Sequence, residues 1–373
     1  MKELYFDNSA TTRVHPEVMR VMNKVMLSDY GNPSSNHAVG DRASKNLIES
    51  RTKIARAIGA KVHELYFTSG TTESNNWILQ GLDNAHPSKK KIIISSIEHS
   101  SIKETCLHLK SRGYTIIEIP VDSYGFIDIN FLDRHIDSHT LVVSVMHVNN
   151  IFGTIQNLKK IGDLCKRKNV LFHTDCAQSF GKMKILVHDW NIDLLSASAH
   201  KICGPKGIGL LYVADGVKIT PLIYGGWQEK GLRSGTENVC GVAGFAKACE
   251  LSLKNDWEKV SKVRDYLIEE LVELGGKVSG ALGRYRLANN IFVTFPHMNA
   301  EEILYKLSEK KIYVSIGSAC DSKKDKEDSA LKALGLSVKE MKSSLRISLP
   351  FNVSKKDADY FIRILKSLLD LKV

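Results

Sequence analysis

From Glu64 onward, short uninterrupted apolar runs alternate with longer segments of mixed polarity. Glu64-Leu65-Tyr66-Phe67-Thr68 precedes a helical pattern opening near Thr71, and Ile92-Ile93-Ile94-Ser95 precedes another from about Ser100 to Ser111. Thr115 to Ile119, Leu141 to Val145, Val170 to Thr174, Ile192 to Leu195 and Leu210 to Val213 continue the series. A strand that is apolar at successive positions is buried on both faces, and strands separated by helices pair in parallel. The pattern predicts an α/β fold around a largely parallel sheet. Near Gly241 to Gly244 the alternation stops, and a long charged amphipathic helix is expected from there to about Leu274. The remainder reads as a smaller α+β unit. It has strands at Asn290 to Phe295, Tyr313 to Ile316 and Leu345 to Leu349, with helices at Ala300 to Lys310 and Lys355 to Leu371.

The 373 residues, 43% hydrophobic and 25% charged, leave room for two domains sharing an interface. No apolar run approaches the roughly 20 residues that span a bilayer. The opening Met1 to Asp7 lacks the apolar core of a signal peptide, so the expected location is the cytoplasm. Seven cysteines without CxxC spacing argue against a disulfide framework and against structural zinc, and no metal is expected. The net charge of +11 comes from short lysine runs such as Lys89-Lys90-Lys91, without interleaved aromatic residues. That favours solvated faces over nucleic-acid binding.

The chemistry-bearing residues follow the strands. Ser196-Ala197-Ser198-Ala199-His200-Lys201 comes just after Ile192 to Leu195 and is followed by Gly204-Pro205-Lys206-Gly207. Small neighbours at a sheet end suit a desolvated, nucleophilic amine at Lys201, although a lone lysine there is ordinarily a surface residue. Thr71 and Thr72 stand where a helix begins, which makes a phosphate seat or an ordinary helix cap. Asp175 ends a buried strand, where an acid needs a positive partner such as a pyridinium nitrogen, and Gln178 follows three residues later. His99 sits at the same edge, placed to stack on a flat ring and shuttle protons as a catalytic residue, or to serve structurally. His147-Val148-Asn149-Asn150 ends another strand there. In open α/β sheets ligands gather outside the carboxyl ends of strands, and that convergence raises the weight of each residue. Cys320 differs from the other cysteines in having polar and cationic neighbours, which favour a thiolate. The stretch Asp321 to Asp328, dense in charge and Ser, is expected to be a mobile loop. Arg346 lies inside an apolar strand and calls for an anion, either a substrate carboxylate or a structural ion pair.

With these residues assembled, the chain resembles a cysteine desulfurase of the iron–sulfur-assembly and nitrogen-fixation type. That group lies within the class V aminotransferase family of pyridoxal-phosphate enzymes of fold type I. Four motifs carry the resemblance. They are Asp7-Asn8-Ser9-Ala10-Thr11-Thr12, Gly31-Asn32-Pro33-Ser34-Ser35-Asn36-His37, the Lys201 signature and Arg233-Ser234-Gly235-Thr236-Glu237-Asn238. It implies a seven-stranded-type, mainly parallel sheet in a large domain, residues 16–249. An N-terminal arm, 1–15, would pack with a small domain, 250–373, that carries the catalytic cysteine. Lys201 would hold pyridoxal 5'-phosphate as a Schiff base. Asp175 would pair with the ring nitrogen, Gln178 with the ring oxygen, and His99 would stack on the ring. Thr71, Thr72, Ser198 and His200 would serve the phosphate, and Thr236 would reach the phosphate of the other subunit of a homodimer. Asn150, also beside the cofactor, and Arg346 would bind the carboxylate of L-cysteine.

The implied reaction gives L-alanine. Lys201 removes the α-proton, and Cys320 takes the sulfur as a persulfide. The sulfur passes to an acceptor or scaffold protein for iron–sulfur assembly, thio-cofactors or tRNA thiolation. A selenocysteine lyase, a class V aminotransferase and a non-catalytic scaffold are the alternatives. Cys320 speaks against a transaminase, and the intact Lys201 and Asp175 speak against a scaffold. Ile151 stands where the family usually has an acid, and Thr71 where alanine is common. The loop after Cys320 is more charged than the family's, and the chain stops at Val373 without the tail some members use to dock a scaffold. These departures leave the chemistry intact and the acceptor unassigned.

Overall fold

The structure, a computed structural model, describes residues 2–317 and 328–370. Cys320 and residues 321–327, with the mobile loop expected there, lie outside the described residues. The chain opens with β1 (Leu4–Tyr5), α1 (Pro16–Ser28) and α2 (Ala38–Ile58). The large sheet follows as β2 (Leu65–Thr68), β3 (Lys91–Ser95), β4 (Thr115–Ile119), β5 (Thr140–Ser144), β6 (Leu171–Asp175), β7 (Leu194–Ser198) and β8 (Gly209–Val213). Its interspersed helices are α3 (Thr71–Ala85), α4 (Ser100–Ser111), α5 (Ile129–His135) and α6 (Leu158–Arg167). The seven strands lie in the order β2-β8-β7-β6-β5-β3-β4, and only β8 runs against its neighbours.

Successive residues of each strand point to opposite faces, and here both faces are apolar. Ile93, Val143, Phe172 and Leu195 enter one core with Ile54 of α2. Ile92, Ile94, Val142 and Leu194 enter the other with Trp77 and Ile78 of α3. At about 1.5–3 kcal/mol for each fully buried large apolar side chain, this double burial fixes where the strand ends lie.

Beyond the sheet come α7 (Val239–Lys254) and α8 (Trp257–Glu273). The single long helix expected here is two helices. The Asp256 side chain accepts from the Lys259 amide at 2.9 Å and starts a new helix, while the Trp257 indole nitrogen donates to Ser252 O. The smaller unit contains β9 (Lys277–Val278), β10 (Asn290–Thr294), α9 (Ala300–Glu309), β11 (Ile312–Tyr313), α10 (Ser329–Ala333), α11 (Val338–Met341), β12 (Ser344–Ser348) and α12 (Lys355–Asp370). The strand expected over Tyr313 to Ile316 is shorter. β11 pairs in parallel with β1, and Ser315 only bridges to Arg346. β10 lies between β12 and β9, antiparallel to both. Phe6 packs edge-on against Phe361, pinning the start of the chain to this second core. No helix among the described residues is long and apolar enough to cross a membrane.

Candidate active site

Parallel strands place their carboxyl ends together. The ends of β3, β5, β6 and β7 meet at one edge, and β2, antiparallel to β8, brings Thr68 to the same side. One cavity of about 400 Å³ opens there. The structure brings Thr71, Thr72, His99, Asn150, Asp175, Gln178, Ser198, His200, Lys201 and Arg346 together in its lining. Thr236 is exposed and stands outside it.

β7 runs on to Ser198, so Ser196, Ala197 and Ser198 belong to the strand and not to a loop beyond it. A single turn, Ala199–Lys201, then starts the return towards β8. Gly209 passes so close to the start of α3 that a Cβ on it would lie 2.6 Å from Gly70 Cα. Lys201 Nζ donates to Ser9 O at 2.5 Å and Ala10 O at 2.8 Å, so the N-terminal arm closes the cavity beside the amine. His200 Nδ1 lies 3.1 Å from Thr11 Oγ1, and burial, then the charges of Lys201, Lys206 and Lys182, push its pKa down to about 3.

Asp175 is buried; its Oδ2 accepts from Asn75 Nδ2 and its Oδ1 from the Ala177 amide, both at 2.9 Å. Gln178 donates from Nε2 to Ser9 O at 3.0 Å, and its Oε1 is buried without a partner. Thr71 Oγ1 is likewise buried and unpartnered at the first position of α3. Arg346 is 1% exposed. Its Nη2 donates to Asp7 Oδ1 at 2.8 Å and its Nη1 to Asn150 O at 3.5 Å, while Nε has no partner. The ion pair raised as an alternative is thus present, and the guanidinium still lines the cavity. Arg233, in the motif with Thr236, pairs with Glu73 at 2.9 Å and ties that segment to the start of α3.

Sequence reasoning missed several buried polar residues around the cavity. Asn75 touches Asp175 directly. Glu98 accepts from Ser95 Oγ at 2.5 Å and the Met146 amide at 2.6 Å, and burial lifts its pKa to about 8. Lys182 Nζ is buried without a hydrogen-bond partner, 5.9 Å from the centre of the Trp257 ring, and burial, then Lys201, push it down to about 7. The available signal was Asn75 itself: asparagine disfavours a helix interior, so one there asks for a buried bonding role.

Hydroxyls at a helix start, a buried acid and a lysine amine suit an anionic, flat, carbonyl-bearing ligand. The unpartnered Thr71 Oγ1 and Gln178 Oε1 are polar atoms that such a ligand would satisfy. Family comparison agrees with this chemistry. Residues 4–361 match the model of the aminotransferase class-V family, and the chain belongs to that family, whose members depend on pyridoxal phosphate. Within it, the chain is 41% identical over 372 residues to the cysteine desulfurase IscS of Methanosarcina thermophila, covering 99% of this chain and 92% of that one. Among solved structures, a NifS-like protein superposes with a TM-score of 0.93 at 36% identity, covering 99% of this chain and 100% of that one. A structure titled SspA in complex with cysteine gives 0.83 at 35%, covering 93% and 99%. The chain stands among the cysteine desulfurases.

Proposed function

We propose that this chain holds pyridoxal phosphate at Lys201, converts L-cysteine to L-alanine and passes the sulfur through Cys320 to an acceptor protein. The observation that carries the reading is the convergence of Lys201, Asp175 and Arg346 on one cavity, in a chain so similar to cysteine desulfurases.

Thr71, Thr72, Ser198 and His200 would hold the phosphate, Asp175 the ring nitrogen and Gln178 the ring oxygen. His99 would face the ring, and Asn150 would lie beside it. When bound, the cofactor supplies an electron sink next to the substrate α-carbon. Arg346, with Asn150, holds the substrate carboxylate and so sets which bond faces Lys201. Lys201 Nζ takes the α-proton. The Cys320 thiolate takes the substrate sulfur and becomes a persulfide as the carbon–sulfur bond breaks. The arm carbonyls of Ser9 and Ala10 keep the amine at the cavity wall before the cofactor arrives.

A homodimer accounts for Thr236, which would serve the partner subunit's phosphate. Exposed apolar groups support it: Leu27 is 79% exposed, Tyr30 70% and Trp227 89%. Two separate apolar cores support a division into an arm (1–15), a large domain (16–249) and a small domain (250–373). We place the reaction in the cytoplasm, feeding iron–sulfur assembly or the thiolation of cofactors and tRNA.

The test is alanine and sulfide production from L-cysteine by the purified chain with pyridoxal phosphate. Cys320→Ala is expected to abolish sulfide release and keep the cofactor absorbance. Unchanged turnover in that variant overturns the persulfide step. Faster turnover of selenocysteine, or of alanine with an oxo acid, overturns the substrate assignment.

A further inference from the structure

The polar groups behind the cavity form one directed chain of hydrogen bonds. The Ser101 amide donates to His99 Nδ1 at 3.1 Å, so that nitrogen carries no proton. Ser101 Oγ, 2.9 Å from the same nitrogen, therefore donates to it as well. With its own proton committed, Ser101 Oγ accepts from Asn75 Nδ2 at 2.8 Å. The second proton of Nδ2 goes to Asp175 Oδ2 at 2.9 Å. Both contacts orient the Asn75 amide the same way, and its Oδ1 accepts from Ser196 Oγ at 2.5 Å. Ser196 Oγ then accepts from His173 Nε2 at 3.2 Å, and His173 Nδ1 accepts from Ser144 Oγ at 2.8 Å. Burial pushes the His173 pKa down to about 3, which keeps this ring neutral and the direction single. Asn75, Ser144, His173 and Ser196 are all 0% exposed, so water does not replace a lost member.

We infer that Asn75 is a positioning residue for the cofactor site. Its one amide group orients Asp175 and holds the Ser101 hydroxyl on His99 Nδ1, beside the Ser101 amide that keeps this ring in the Nε2–H tautomer. The acid and the imidazole that line the cavity are thus set together by a residue that does not line it. Asp175 receives one donor on each oxygen and keeps lone pairs for a further donor from the cavity. The consequence for pyridoxal phosphate rests on the function proposed above; the His99 tautomer is a property of the chain alone.

The test uses the full-length chain with nitrogen-labelled histidine, the His99 ring signals being assigned by His99→Gln. Pyridoxal phosphate affinity is measured by absorbance titration of each variant. In the unsubstituted chain the neutral His99 ring should show an unprotonated Nδ1 signal, with or without pyridoxal phosphate. Asn75→Asp keeps the shape, leaves at most one proton where the amide had two donors, and sets a second carboxyl against Asp175. It should shift the His99 Nδ1 signal, as the Ser101 hydroxyl leaves that nitrogen, and weaken pyridoxal phosphate binding about tenfold or more. Ser101→Ala cuts one branch only. It should move the His99 signals and leave pyridoxal phosphate affinity within about twofold. Asn75→Asp with native His99 signals and native affinity overturns the inference. Should that variant not fold, unmoved His99 signals in Ser101→Ala overturn it instead. An unsubstituted chain that binds no pyridoxal phosphate overturns the proposed function, while the nitrogen signals still decide the tautomer.

Discussion

The layer of polar groups that backs the cavity, its floor, and the side built from the arm, the start of α3, Gln178 and the small unit treat their polar atoms differently. On the floor, His99, Ser101, Asn75, Ser196, His173 and Ser144 bond to one another in sequence, and Asp175 branches from Asn75. On the other side, Ser9 Oγ, Thr71 Oγ1, Gln178 Oε1 and Arg346 Nε are buried without partners. A buried polar atom left unpaired costs about 1–3 kcal/mol, so proteins keep few of them and keep them where a ligand answers. The floor is pre-set and needs no rearrangement during reaction. The arm side is completed by what binds.

Lys201 belongs to the arm side, and its loss tests that assignment most severely. Its amine is held by Ser9 O and Ala10 O, both in the arm. Lys201→Ala should lower cysteine turnover by about four orders of magnitude, because a proton-transfer group and the covalent anchor go together. Borohydride should then fix no cofactor to the chain. Turnover within tenfold of the unsubstituted protein would mean that the amine is a structural clamp for the arm and nothing more.

Glu98 breaks the neat contrast, because it lies beneath the floor and one of its oxygens, Oε2, has no partner. Burial lifts its pKa from 4.5 to about 8. In the unfolded chain it ionises near its ordinary value, while the folded chain keeps the proton until about pH 8. The folded state therefore binds more protons between those limits, and stability falls as pH rises through them. Glu98→Gln imitates the protonated form and does not titrate. The variant should gain on the unsubstituted protein progressively from pH 5 to 8, reaching roughly 3–5 kcal/mol by urea unfolding. Parallel stability curves across that range would show a Glu98 ionised in the folded state, and with it a floor less settled than its hydrogen bonds suggest.

Strand ends were legible in the sequence because double burial forces continuous apolar runs, and each run is followed by its functional residue. Asp175, Lys201, His99 and Asn150 were found that way, and Arg346 by being a charge inside such a run. The floor behind them was not legible. Asn75 bonds to residues 26, 100 and 121 positions away, and nothing local marks those pairings. The break between α7 and α8 was written as Asn255-Asp256, a capping pair hidden inside a charged amphipathic stretch. The closeness of Ser9 and Ala10 to Lys201 depends on β1 pairing with β11 from the far end of the chain.

The smallest expected effect gives the finest test of the contrast, because stability and affinity should move in opposite senses. Thr71 and valine have nearly the same shape, so Thr71→Val removes a hydroxyl without opening a cavity. Thr71 Oγ1 has no partner in the folded chain, and its burial is a cost that valine does not carry. Without cofactor, the variant should melt at the same temperature or a few degrees higher, by up to about 1 kcal/mol. With cofactor, it should bind pyridoxal phosphate about tenfold more weakly, since a hydroxyl bonded to a phosphate oxygen contributes about 1.5 kcal/mol or more. On the floor the two quantities should fall together: Ser196→Ala strips Asn75 Oδ1 of its donor and so should lower both stability and affinity. If Thr71→Val loses stability without cofactor, the hydroxyl is bonded within the chain, and the arm side is as pre-set as the floor.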